Sequence, residues 1–367
     1  MKVVIFGLTI SSSWGNGHAT LWRGLCNALA RLGHRVVFFE RDVPYYAAHR
    51  DLRAIPGGKL VLYPDWDEVL PAAQRELADA DVAMVTSYCP DGIAASDAVL
   101  SSRALHVFYD LDTPVTLARV AAGESLSYIG PGGLREFDLV LSYTGGGALS
   151  ALQSELGARR VAPLYGSVDP QVHRPVPAVE TFRGDLTYLG TYAADRQDAL
   201  ELLFIAAARQ RPECRFVIGG AGYPHAFPWT PNIFFVRHLP PPDHAAFFSS
   251  SRLTLNVTRA AMARMGYCPS GRLFEAAACG APMISDWWDG LDSFLAPGSE
   301  ILVARETADT VATLGMSDEE LSRIAWRARE RTLAEHTADQ RARDLVSILE
   351  HCWGGPADIP ALVPATG

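Results

Sequence analysis

Lysine is almost missing from this chain: Lys2 and Lys59 are the only two among 32 basic residues, so the other thirty are arginine. Basic charge is also in deficit, 32 residues against 41 acidic ones, for a formal net charge of -9. Such a balance leaves no broad basic face and excludes a dedicated nucleic-acid binder. The six cysteines (Cys26, Cys89, Cys214, Cys268, Cys279, Cys352) form no C-x-x-C pair, and none has a histidine at metal-ligand spacing. They read as free thiols of a reducing compartment, and no metal is expected. No apolar run approaches the ~20 residues that span a bilayer. The apolar start, residues 1–10, leads into a Ser/Gly loop and not a cleavage site, so it reads as a strand of a cytoplasmic protein. The arginine bias is either compositional, the mark of a GC-rich genome, or a sign of bidentate forks gripping anions at particular places.

The chain is 49% hydrophobic and 20% charged, a globular composition, and 367 residues suggest two domains. Short apolar runs alternate with helical patterns. In the first half, strands are expected over 2–10, 35–40, 60–63, 81–87, 104–109 and 139–143, with helices over 18–32 and 67–80. The second half repeats the plan, with strands over 185–189, 215–219, 233–236, 253–257 and 282–285 and helices over 197–210 and 271–279. Two further helices open at Ser317 and Thr337, each at an S/T-x-x-E/Q capping box. The expectation is an α/β protein with two doubly wound parallel sheets. The domains are placed at 1–168 and 181–336, with a Pro-rich hinge linker at 169–180, a C-terminal helix at 337–353 and a loose tail at 354–367.

Ligands of such sheets sit beyond the carboxyl ends of the strands, so residues just after each strand carry the information. After the first strand comes S-S-S-W-G-N-G-H-A-T, with Gly15 and Gly17 before a helix N-terminus and His18 at its start. With Glu40 some twenty residues on, the loop also allows a dinucleotide reading, an NAD(P)-dependent oxidoreductase. H-V-F-Y-D-L-D-T-P ends a strand with Asp110 and Asp112, carboxylates able to act as a general base or to orient a hydroxyl. L-G-T-Y-A-A-D-R opens the second half with Thr191 and Arg196. The most specific stretch is 256–286. There Ser270 and Gly271 open a helix, Arg272 lies in its first turn and Glu275 stands one turn later on the same face. A helix N-terminus with an arginine suits a diphosphate, and the carboxylate suits two ribose hydroxyls.

The run R-L-F-E-A-A-A-C-G-A-P-M-I resembles the E-A-x-A-C-G-x-P-V-I segment of group-1 GT-B glycosyltransferases, in particular their CgeB-like branch. L-A-R-L-G-H-R-V (residues 29–36), the hinge Y-G-S-V-D-P-Q-V-H-R-P and the last helix resemble the same family, so the likeness covers nearly the whole chain. The resemblance implies two Rossmann-like domains facing across a cleft, with the C-terminal helix crossing back to the first. It implies a bacterial enzyme that takes a sugar from a UDP-, GDP- or TDP-sugar, without a cofactor or metal. The acceptor would be a small molecule, a glycan, a protein or a lipid-linked molecule. Carried over, Glu275 would hold the ribose, Arg272 with Ser270, Gly271 and Arg196 the diphosphate, and the backbone at His238 and Leu239 the base. Many retaining relatives carry a glutamate eight positions before the ribose acid, where this chain has Tyr267, which leaves retaining and inverting chemistry both open. For an inverting base, Asp110 or Asp112 stands first and His18 second. A nucleotide-sugar epimerase shares the fold and stays an alternative.

Overall fold

Runs rich in valine, isoleucine and phenylalanine become the strands of two all-parallel sheets. The first sheet contains β1 (Lys2–Gly7), β2 (Arg35–Arg41), β3 (Lys59–Tyr63), β4 (Val82–Thr86), β5 (Leu105–Asp110), β6 (Leu139–Ser142) and β7 (Val161–Pro163), in the order β3-β2-β1-β4-β5-β6-β7. Its central strands are buried on both faces, which is why they read as continuous apolar runs without alternation. The second contains β8 (Leu186–Leu189), β9 (Phe216–Gly220), β10 (Ile233–Arg237), β11 (Thr254–Asn256), β12 (Met283–Asp286) and β13 (Leu302–Ala304), in the order β10-β9-β8-β11-β12-β13. The computed structural model describes residues 1–353; the tail read at 354–367 lies outside them.

Contacts divide the chain into two units. Among the described residues, one is Met1–Gly166 with the helix Ala338–Trp353, and the other is Ser167–Thr337. The first unit buries Leu21, Trp22, Leu25 and Leu29 of the helix Gly17–Arg31 together with Ala342, Leu345, Ile348 and Leu349 of the last helix, Ala338–Trp353. The C-terminal helix is thus part of the first unit's core. Each sheet reverses its strand order once, between β1 and β4 in the first and between β8 and β11 in the second. In a sheet of this kind a ligand fits beyond the carboxyl ends of the strands, at the switch point.

Several elements differ from the sequence reading. β1 stops at Gly7, not at residue 10, because the backbone N–H groups of Ile10 and Ser11 both turn to the Glu40 carboxylate. The helix expected over 197–210 contains a π-helical segment, Glu201–Ile205. Helices Gly92–Leu100, Thr113–Ala121 and Gly147–Leu156 were not anticipated. The core face of Gly92–Leu100 is Gly92, Ala95 and Val99, too small a stripe to stand out, and a Cβ on Gly92 would lie 2.6 Å from the Tyr128 backbone. The segment read as a hinge linker is tied into the second unit: Val176 and Val179 donate to the Ser249 and Ser250 hydroxyls, and Val168 donates to the His336 carbonyl.

Candidate functional site

Both switch points carry unusual polar side chains. In the second unit, the segments after β8 and β11 and the start of the helix Gly271–Ala278 bring Arg196, Arg259 and Arg272 together. Burial pushes the Arg196 guanidinium below its ordinary pKa, and the like charges of Arg272 and Arg259 push it further. Asp195 answers Arg259 at 3.0 Å. The Nε atoms of Arg196 and Arg272 are sealed from solvent with no hydrogen-bond partner. A half-buried group of like charges with unpartnered donors is costly alone and suits a polyanion that accepts from them. Ser270 caps the helix, its hydroxyl accepting from the Arg272 N–H at 3.4 Å. The helix end adds its partial positive charge to the same place.

One turn along, the Glu275 side chain is 13% exposed and faces two imidazoles, His244 Nδ1 at 3.7 Å and His173 Nε2 at 3.9 Å from its Oε2. Burial raises the pKa of this acid, but His173, His244 and Arg272 outweigh burial and hold it down to about 2, so the carboxylate is ionised. One donor atom from each of His173, His244 and Glu275 lies within 4.8 Å of the others, a spacing that could also hold a metal ion. At the ends of β8 and β9, Gly220 takes φ +152, and a Cβ there would collide with the Gly190 carbonyl oxygen. Beyond it, His238 adopts φ +51 and donates its N–H to the Gly220 carbonyl, while Leu239 is buried. Thr191 is exposed, and its carbonyl accepts from Arg196 at 3.4 Å.

In the first unit the loops after β1, β4 and β5 gather His18, Tyr88, Asp110 and Asp112. Asn16 caps the helix Gly17–Arg31 through the His18 N–H, and Gly15 before it has φ +60. The His18 ring stacks on Tyr88 with centroids 6.0 Å apart, and Tyr88 donates its hydroxyl to Asp112 Oδ2 at 2.8 Å. Burial lowers the His18 pKa against the opposing charge of Asp112, so the ring is neutral at pH 7. Its Nδ1 is sealed without a partner, which leaves Nε2 as the nitrogen a substrate can reach. Asp110 is 0% exposed. Its Oδ1 accepts from the Asp112 N–H and the Thr116 hydroxyl, and its Oδ2 is sealed.

Residues 196–347 match the model of a glycosyl transferase-like family. No curated protein matches the chain in sequence. Among solved structures, sucrose-phosphate synthase from Thermosynechococcus elongatus is similar at 13% identity and TM-score 0.70, covering 96% of this chain and 99% of that one. HepE of Anabaena, solved with UDP and glucose, is similar at 13% identity and TM-score 0.64, with 96% and 100% covered. The DNA-modifying β-glucosyltransferase, solved with and without uridine diphosphoglucose, is similar at 13% identity and TM-score 0.62, with 95% and 99% covered. The fold is GT-B. In this GT-B chain the expected donor residues Arg196, Ser270, Gly271, Arg272 and Glu275 lie in the second unit, and His18, Asp110 and Asp112 in the first.

One alternative is overturned. The dinucleotide reading needs Glu40 free for a ribose, yet Glu40 is 0% exposed and fully engaged by the Thr9 and Ser11 hydroxyls and the Ile10 and Ser11 N–H groups. Its role is to fold the glycine loop that holds Gly15 and Gly17. Four site residues were missed: Tyr88, His173, Arg259 and His244. Arg259 follows β11 as the other candidates follow their strands, and that placement could have found it.

Proposed function

We propose that the protein is a glycosyltransferase that moves a sugar from a nucleoside-diphosphate sugar, with UDP-sugars the first choice, to an acceptor hydroxyl. The observation that carries the reading is the arginine group, Arg196, Arg259 and Arg272, beside a capped helix end with an ionised carboxylate one turn on. The arginines and helix end would take the diphosphate, Glu275 the ribose hydroxyls, and the backbone around Gly220, His238 and Leu239 the base. The family match over 196–347 and the UDP-bound GT-B neighbour support this assignment. The match of residues 250–300 to the CgeB-like pattern supports that branch.

The chemistry follows from the charges. As the bond from the anomeric carbon to the diphosphate oxygen breaks, negative charge grows on the leaving group, and fixed arginines and helix N–H groups stabilise it. In this reading the positive charge comes from the chain, and no metal or cofactor is needed. The acceptor oxygen attacks the anomeric carbon and gives its proton to a base. A sealed Asp110 cannot meet an acceptor, and Asp112 has Oδ1 sealed and Oδ2 held by the Tyr88 hydroxyl, so in this reading His18 Nε2, oriented near Asp112, is the base of an inverting displacement. Tyr267 in place of an acid, with φ +46 and its N–H on the Asp289 carbonyl, is consistent with a donor sugar held without a second carboxylate.

A thermal-shift screen of UDP, GDP, TDP and CMP with their sugars tests the donor, since a ligand of the folded state raises its stability by mass action. Arg272→Ala is expected to lower turnover about 10²-fold or more with the fold intact. A near-normal rate in that variant, or a free epimerised sugar as the product, overturns the assignment.

A further inference from the structure

The surroundings of Glu275 are more elaborate than a ribose contact needs. His173 is 1% exposed, and both its ring nitrogens are sealed without a hydrogen-bond partner, as is His244 Nδ1. Burying polar nitrogens unpaired is costly. The three residues come from separate elements. His173 sits in a turn whose backbone is fixed by its N–H on the Asp169 carbonyl at 2.9 Å. His244 begins the helix His244–Ser249, and Glu275 lies on the helix Gly271–Ala278. Both imidazoles approach the same oxygen, Oε2, a few tenths of an ångström beyond hydrogen-bond reach. Nothing described in the structure bonds to Oε1, and neither carboxylate oxygen is among the sealed, partnerless atoms.

We propose that His173 and His244 are positioning residues that anchor Glu275 through Oε2 and present Oε1 to the 2′ and 3′ hydroxyls of the donor nucleoside. This rests on the nucleotide-sugar reading above. In this arrangement His173 turns Nε2 and His244 turns Nδ1 toward Oε2, so a small inward shift lets a proton on either nitrogen be donated to it. A carboxylate held on one side cannot rotate away, and the ordering cost of binding a diol is met before the ligand arrives. The charged and titratable groups facing this cluster include Asp169 in the turn, His244 at its helix start, Arg272 on the helix of Glu275 and Cys279 just past that helix's end. Burial keeps His173 below the ordinary histidine value, which preserves the neutral donor at pH 7.

The test compares UDP with 2′,3′-dideoxy-UDP by calorimetry on the full chain. Wild type is expected to favour UDP about tenfold, the worth of one strong hydrogen bond to a charged group. His173→Leu and His244→Ala are expected to lose most of that preference while still binding the diphosphate. Glutamine places its amide near Nε2 and asparagine near Nδ1, so His173→Gln and His244→Asn should restore part of it, and a purely structural role would not produce this pattern. Melting temperature is followed in parallel. If His173→Leu fails to fold, the His244 pair carries the test. Unchanged UDP preference in folded His244→Ala overturns the proposal. So does a stoichiometric transition metal retained on the purified protein and held by His173, because the histidines would then be ligands. Failure of wild type to bind any nucleoside diphosphate instead overturns the donor reading itself, so the two failures are distinguishable.

Discussion

Asp110 sits at the end of β5 with no exposure, and burial lifts its acid to about 6. A folded pKa above the unfolded value means that ionisation opposes folding. The stability tied to this group is complete below the ordinary carboxylate range and is lost as pH rises through about 6. Asp110→Asn keeps the Oδ1 acceptor for the Asp112 N–H and cannot ionise. Its melting temperature should exceed wild type by more at pH 8 than at pH 4.5, and a gap independent of pH would refute the account. His18 poses the opposite case, a base kept neutral. Its folded pKa is lowered by burial, so kcat/KM should rise with pH along a limb centred below the ordinary histidine value. In His18→Ala that limb should vanish from the pH–rate profile along with most of the activity. His18, Asp112, Arg196, Arg272 and Glu275 were legible because each stands just after a strand or one turn into the following helix. His173 was not. It lies in a Pro-rich stretch that reads as a linker, and nothing local says that residue 173 will be sealed against residue 275. Arg259 also follows a strand, and that placement was passed over among the many arginines of the chain.

At the scale of elements, two helices offer the same cap in different places. Ser270 caps the helix Gly271–Ala278 beside the arginine group, and Ser317 caps Asp318–Glu335 in a complete capping box with Glu320. Removing either hydroxyl should cost about 1 kcal/mol of stability. Only Ser270→Ala should also weaken UDP, because its N–H groups face the proposed diphosphate; titration of both variants with UDP checks this. Equal UDP affinity in the two would remove the helix end from the site. The Ser317 box was legible from four residues, since a cap is a local bargain between neighbours. The π segment Glu201–Ile205 was not, because a π turn differs from an α turn by register, and both present the same apolar residues Leu203, Phe204 and Ile205 to the core. The early end of β1 was equally hidden. It depends on Glu40, some thirty residues away, turning inward to take the loop's N–H groups.

Over the whole molecule, the chain leaves the first unit at Gly166 and returns to it at Ala338, so the last helix completes a core begun by the first strand. Ala338, Ala342, Leu345, Ile348 and Leu349 pack with Leu25 and Leu29 in one cluster, and Asp339 pairs with Arg31 at 2.7 Å. Arg160 donates to the Cys352 carbonyl at 3.2 Å, tying down the far end. This crossing makes the first unit's stability depend on residues more than three hundred positions from β1, while a main core cluster of the second unit runs from Leu186 to Leu321 within that unit's own stretch of chain. Leu345 is 1% exposed, so Leu345→Ala leaves a cavity and should cost about 3 kcal/mol. Hydrogen exchange separates the units. Protection should fall in β1, β2 and the helix Gly17–Arg31, and hold in β8, β9 and β11. UDP binding, assigned to the second unit, should survive at temperatures where the first unit's amides already exchange. Loss of protection in β8 and β9 to the same degree would mean that the two cores unfold as one cooperative body, and the C-terminal helix would then stabilise the second unit as well as the first.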